Sequence, residues 1–134
     1  MKKPFLIHFE QIGDNDIGFI SVCQSQKDVP FLIRRVYWVY HTPDHVERGN
    51  HAHKKGQQLL VCVSGETTVQ LENIREEKYS FTLKEPHVGL FIPPMYWRVI
   101  HMKADTVFIC MADTDFNEDD YIRDYHLFKN YHPH

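Results

Sequence analysis

Apolar and β-branched residues recur along this chain as short runs cut by turn-forming residues, the spacing of an all-β domain. Side chains of a strand alternate between two faces, so alternating runs predict half-buried strands and wholly apolar runs predict strands buried on both faces. The pattern places strands over residues 5–9, 18–23, 31–40, 58–63, 67–71, 79–83, 89–92, 97–101 and 106–111. Turns fall at Asp14-Asn15-Asp16, at Asn73 and at Pro93-Pro94, and Pro30 and Pro86 sit at strand starts, where a missing N–H is tolerated. Only the end of the chain reads as helix. Asp119 or Asp120 would cap a short segment in which Tyr121, Ile122, Tyr125 and Phe128 recur at helical spacing and pack against the sheets. His132-Pro133-His134 reads as a frayed terminus.

With 134 residues, the chain is expected to form one domain spanning 1–134, large enough for its own core. No apolar run approaches the roughly 20 residues a membrane-spanning helix needs. Met1-Lys2-Lys3-Pro4 does not begin a secretory signal, so a cytoplasmic protein is expected. Cys23, Cys62 and Cys110 all lie in apolar runs, and their odd number argues for buried thiols rather than a disulfide framework. A net charge of −3 gives no basic field for nucleic acid. An anionic small molecule would need a local cluster, for which Arg34-Arg35, Arg48 and Lys54-Lys55 are the candidates.

The chemistry concentrates in Arg48-Gly49-Asn50-His51-Ala52-His53-Lys54-Lys55, followed by Gln58 and Gly65. His51 and His53 share a face if this segment is a strand. The spacing resembles the first motif of the cupins, small β-barrels of jelly-roll type in which two histidines and a glutamate bind a metal. Here the glutamate position holds the neutral Gln58, and the last histidine position of the second motif, counted from Pro93, holds Arg98. A guanidinium is permanently charged and does not ligate a cation. His101 lies three residues further on and would point to the other face, so no metal and no other cofactor is expected. Imidazole beside guanidinium is instead suited to abstracting a proton next to a carbonyl and stabilising the resulting anion. Trp97 would offer a flat apolar surface to a sugar or base.

Four motifs together resemble one cupin family across nearly the whole chain. They are Pro30-Phe31-x-Ile33-x-Arg35-Val36-Tyr37, Arg48-Gly49-x-His51-x-His53-Lys54-Lys55, Val88-Gly89-Leu90-Phe91 with Pro94-x-x-Trp97, and Asp120-Tyr121-Ile122-Arg123-x-Tyr125. The chain is similar in these to the dTDP-4-keto-6-deoxyglucose 3,4-ketoisomerases. The resemblance implies a metal-independent isomerase in which His51 removes the C3 proton, Tyr37 orients it or relays protons, and His53 is a second proton carrier or substrate contact. It also implies that Arg48 and Trp97 lie around the nucleotide sugar, with Arg35, Lys54 and Arg98 as further contacts. The partners it implies are a dTDP-linked keto-deoxysugar and a second copy, forming a homodimer that exchanges N-terminal strands. Arg98 after the tryptophan matches gluco-forming members, whereas Ile17 before Gly18 matches neither product type. The 3-keto product would feed an aminotransferase making 3-amino-3,6-dideoxysugars for surface glycans such as O-antigens. A non-catalytic nucleotide-sugar-binding cupin serving an acyltransferase, a metal-dependent dioxygenase and a deoxysugar epimerase are the competing readings. Tyr37 with His51 favours catalysis over simple binding, and Gln58 with Arg98 opposes the dioxygenase.

Overall fold

The structure is a computed structural model and describes residues 2–132. Met1, Pro133 and His134 lie outside the described residues, and with them most of the terminal tract expected to fray.

Two five-stranded antiparallel sheets face each other as a cupin-type jelly roll. The first runs β1 (Phe5–His8), β9 (Val88–Ile92), β6 (Gln58–Ser64), β11 (Val107–Ala112) and β4 (Arg35–Val39). The second runs β12 (Tyr121–Ile122), β5 (Glu47–His53), β10 (Trp97–Met102), β7 (Thr67–Glu72) and β8 (Lys78–Leu83). A separate hairpin, β2 (Ile12–Asp14) with β3 (Gly18–Ile20), turns where the Asp14 carboxylate accepts from the N–H groups of Asp16 and Ile17. One end of the space between the sheets is apolar, filled by Leu60, Leu71, Leu83, Leu90, Ile100 and Phe108. Their removal from water, on the order of 1.5–3 kcal/mol per large side chain, holds the two sheets together. The polar positions gather at the opposite end.

The expected strands formed with four differences. Residues 31–40 pair only over Arg35–Val39, while Phe31 reaches a core cluster from a loop. Residues 18–23 pair only over Gly18–Ile20, and Ile12–Asp14 adds the strand opposite. Glu47–His53 is a strand although it carries almost no apolar residue, because its inner side lines a polar space rather than the core. The C-terminal helix is shorter than expected. Tyr121 and Ile122 pair as β12 with His53 and Ala52, and the helix α1 (Tyr125–Lys129) begins only after Asp124, whose carboxylate caps it by accepting from Leu127 N–H. Asp119 and Asp120 therefore do not cap α1; they belong to a single 3-10 turn, Glu118–Asp120. The backbone groups of Tyr121 and Ile122 are satisfied by β5 rather than by a helix, which is why the chain stays extended there.

Candidate active site

Strands β5 and β10 set the geometry. Their register runs His101 opposite Glu47, Ile100 opposite Arg48 and Val99 opposite Gly49, then shifts so that Arg98 faces His51. Asn50 is the extra residue of a β-bulge, and Gly49 and Asn50 both have positive φ, 90° and 55°. A Cβ on Gly49 would lie 2.9 Å from the Arg98 carbonyl oxygen, so glycine is required there by the approach of β10. The bulge turns Arg48 to the same inner side as His51, three residues on. His53 follows on that side, its ring 5.0 Å from His51 and almost perpendicular to it.

Both imidazoles are tied at Nδ1 and free at Nε2. His51 Nδ1 donates to the Gly49 carbonyl at 3.0 Å, and His53 Nδ1 donates to Asp120 Oδ2 at 3.0 Å. Each Nε2 is buried without a partner and carries an unshared lone pair in this tautomer. Burial and the nearby Arg98 guanidinium push His51 down to about 4, so it is a free base at neutral pH. The same two causes hold His53 below the ordinary imidazole range, while Asp120 fixes its tautomer. Asp120 is itself pinned, accepting from Lys55 N–H at 2.8 Å through Oδ1, and its carbonyl accepts from Lys54 N–H at 2.8 Å. Tyr121 packs against both histidines, with ring centroids 4.3 Å from His53 and 5.0 Å from His51.

Gln58 and Arg98, at the two altered ligand positions, hydrogen-bond to each other, Arg98 Nη1 donating to Gln58 Oε1. Arg98 Nη2 donates to the Tyr96 carbonyl at 3.3 Å, and the side chain is only 1% exposed. This pair occupies the space a cation would need, and its guanidinium would repel one. Tyr37 comes from β4 on the facing sheet and lies beside the Cys110 thiol. Burial raises its hydroxyl well above the usual phenol range, so it remains an O–H donor.

A groove of about 520 Å³ opens over His51, lined by Arg35, Tyr37, Arg48, Phe116, Tyr121 and Arg123 among others. Three arginines and three aromatic rings around one space suit a ligand with phosphates and flat rings. The Arg35 guanidinium lies 5.7 Å from the rings of both Tyr37 and Phe116, and that of Arg123 lies 4.3 Å from Tyr121. Glu118 accepts from Arg123 Nη2 at 3.0 Å and neutralises part of that charge.

Of the expected site residues, His51, Tyr37, Arg48 and Arg35 line the groove, with Arg98 beneath it and the His53 ring packed against His51. Trp97 and Lys54 lie away from it. Trp97 neighbours Arg98 on a regular strand and so points to the opposite side, where it packs under Phe128 on the outer face. Lys54 lies past the inward-facing His53, 5.9 Å from the ring of Tyr131. His101 is exposed and pairs with Glu47 at 3.8 Å, as the alternation requires. Asp120, Tyr121 and Arg123 were visible as a motif without assigned roles. Phe116 and Cys110 carried no signal, since only the folding of distant segments brings them here.

The model of the family described as FdtA: WxcM-like, C-terminal, matches residues 2–133 of this chain. The chain belongs to that family. It is 39% identical over 129 residues to the TDP-4-oxo-6-deoxy-alpha-D-glucose-3,4-oxoisomerase of Aneurinibacillus thermoaerophilus, covering 94% of this chain and 90% of the relative. Among solved structures it is similar to QdtA, a sugar 3,4-ketoisomerase from Thermoanaerobacterium thermosaccharolyticum in complex with TDP. That match has TM-score 0.90 and 33% identity over 95% of this chain and 92% of the other. It is also similar to WlaRB, a TDP-quinovose 3,4-ketoisomerase from Campylobacter jejuni, with TM-score 0.90 and 29% identity over 98% of this chain and all of the other (100%). This FdtA-family chain is an isomerase. No helix among its described residues is long and apolar enough to cross a membrane.

Proposed function

We propose that the chain is a metal-independent 3,4-ketoisomerase of TDP-4-keto-6-deoxyglucose, with His51 as the base. The observation that carries this reading is the His51 ring, held by Gly49 through Nδ1 with a buried, unpartnered Nε2. A neutral imidazole with one free lone pair, next to a fixed positive charge, is the arrangement needed to take a proton from carbon. The C4 ketone acidifies the C3 hydrogen. His51 Nε2 accepts that proton, and the C–H electrons form a C3=C4 double bond with negative charge on O4. Arg98 and the Tyr37 hydroxyl stabilise this charge. The O3 proton passes to O4, C4 takes a proton from an imidazolium, and the O3 electrons form the new ketone at C3. Protons and electrons balance within the sugar, so no oxidant enters. His53, oriented by Asp120, is the second proton carrier, and Arg35, Arg48 and Arg123 suit the diphosphate.

Arg98 at the strand position beside His51 supports a gluco product, and 3-amino-3,6-dideoxysugar synthesis is the use this product suits. The working form is a homodimer in the cytoplasm.

Proton NMR of TDP-4-keto-6-deoxyglucose mixed with the protein in deuterated buffer tests the reading. Wild type should exchange the C3 hydrogen and form the 3-keto isomer, and His51→Asn should lose about 10²–10⁴ in rate while still binding TDP. Unchanged exchange in His51→Asn would place the base elsewhere. For the free enzyme, kcat/KM should fall on acidification only near the His51 value of about 4, where the base becomes protonated. An acid limb centred near 6.5, the unperturbed imidazole value, would show an unburied base.

A further inference from the structure

Beneath the groove the barrel holds a second, smaller space of about 60 Å³, lined by Tyr37, Arg48, His51, Gln58, Arg98 and Phe108 among others. Two of the lining side chains keep buried N–H groups without a partner, Arg98 at Nε and Gln58 at Nε2. Both residues are about 1% exposed, so neither group reaches bulk water. The partners Arg98 does have, Gln58 Oε1 and the Tyr96 carbonyl, are both neutral. Among the described residues no carboxylate forms an ion pair with it. The Asp120 carboxylate acts on Arg98 only through space, and a buried guanidinium without a contacting counter-charge is unfavourable, as is a buried donor without an acceptor. One small anion would relieve both.

We propose that this inner pocket is a binding site for one monovalent, monatomic anion, chloride in ordinary solution, held by Arg98 Nε–H and Gln58 Nε2–H. A space of about 60 Å³ is large enough to admit a halide. Arg48 at its wall adds a second positive charge. Both the groove and the inner pocket are bounded by Tyr37, Arg48, Gly49 and His51, so the ion enters and leaves past the base. The anion occupies the place where the enolate oxygen of the proposed reaction would draw on Arg98. It must therefore leave when substrate arrives. The site stands on its own geometry, and only this competition rests on the isomerase reading.

Crystals of the wild-type protein soaked in bromide test the site without turnover. An anomalous peak in hydrogen-bond reach of Arg98 Nε and Gln58 Nε2 is the expected result; water alone there, or bromide only at surface positions, overturns it. Replacing gluconate by chloride at constant ionic strength should then raise KM severalfold and leave kcat unchanged. Equal kinetics in the two salts would show that substrate does not displace the ion and would overturn the competition. In Gln58→Leu, which keeps the guanidinium and removes one donor, the bromide occupancy should fall; unchanged occupancy would overturn the assigned contacts. A protein that holds bromide yet fails to isomerise the sugar would refute the proposed function and leave the anion site standing.

Discussion

The two sheets meet the same problem, an apolar outer face, and solve it to different extents. On the second sheet the chain supplies its own cover: α1 lays Phe128 over Trp97, Ala52, Met95 and Ile122, and Phe128 is fully buried. Lys129 and Tyr125 bind Glu72 at the rim, at 2.8 Å each. On the first sheet the centre is covered too, Leu59, Val61 and Phe91 lying under Phe9, Val29 and Phe31, but the edge strands keep Trp38, Val36, Phe5 and Leu6 exposed, Trp38 by 60%. Phe19 and Ile20 of the hairpin are exposed as well. Single exposed apolar residues are ordinary, but a whole set of this size on strands and hairpin is the kind of surface a partner covers. The homodimer expected from the resemblance would cover these edge strands, which the chain's own loops leave open. The comparison also separates two tasks of the C-terminal segment, because the stretch that leads into the cover carries Asp120 and Tyr121 into the site. One piece of chain delivers both the cover and the carboxylate that holds His53.

Breaking the built-in cover should have the largest effect. Phe128→Ala empties a fully buried position and should cost about 3–5 kcal/mol of stability, read from urea unfolding. If the loss is well under that range, α1 is a loose flap and not part of the core. Next, Trp38→Glu on the exposed edge strand β4 should shift the protein from dimer to monomer in light scattering, with unfolding of the monomer nearly unchanged. A wild-type protein that is already monomeric at micromolar concentration would remove this half of the comparison. A smaller effect should come from Asp120→Asn. With Lys55 N–H still donating to the remaining oxygen, the new amide N–H faces His53 Nδ1 and favours the other tautomer, which 15N shifts report. The rate should fall roughly tenfold to a hundredfold, the range for losing a partner that orients a histidine, and Phe128→Ala should show no such tautomer change. Smallest of all should be Tyr125→Phe, which deletes the exposed contact to Glu72 and should lower the melting temperature only slightly.

Acid should weaken the fold through the histidine pair on β5. His51 and His53 are held neutral in the folded protein, so the unfolded chain binds more protons below about 6.5. Stability should thus be complete above that value and decline as pH falls toward about 4, by at most about 1.4 kcal/mol per unit for each histidine. His51→Asn should flatten that slope; an equal slope would mean that carboxylates dominate it.

Strands that bury one face wrote themselves into the sequence, and most of the barrel was legible for that reason. Strand β5 did not, since a groove lined by Arg48 and His51 removes the apolar alternation by which strands are recognised. The site was legible where chemistry and spacing coincide, as in the histidine pair. It failed at Trp97 because neighbouring residues on a strand cannot share a face, and Arg98 already holds the inner one. Tyr121 and Ile122 have helical spacing relative to Tyr125 and Phe128, yet the free edge of β5 takes them as a strand. Phe116 and Asp120 depend on contacts between segments far apart in the chain, which no local pattern encodes.

The bulge at Gly49–Asn50 makes β5 a strand read in two phases. Before it, Arg48 faces in and Glu47 faces out; after it, His51 and His53 face in. Pulling the same residues into unbroken alternation behind His51 would turn Glu47 inward and Arg48 outward, placing an acid where the groove now carries a guanidinium. Removing Asn50 instead would keep both phases, since the surplus residue itself would be gone. Variation at this point should therefore tolerate a one-residue deletion more readily than a bulky substitution of Gly49, an uncommon ranking for the heart of an active site.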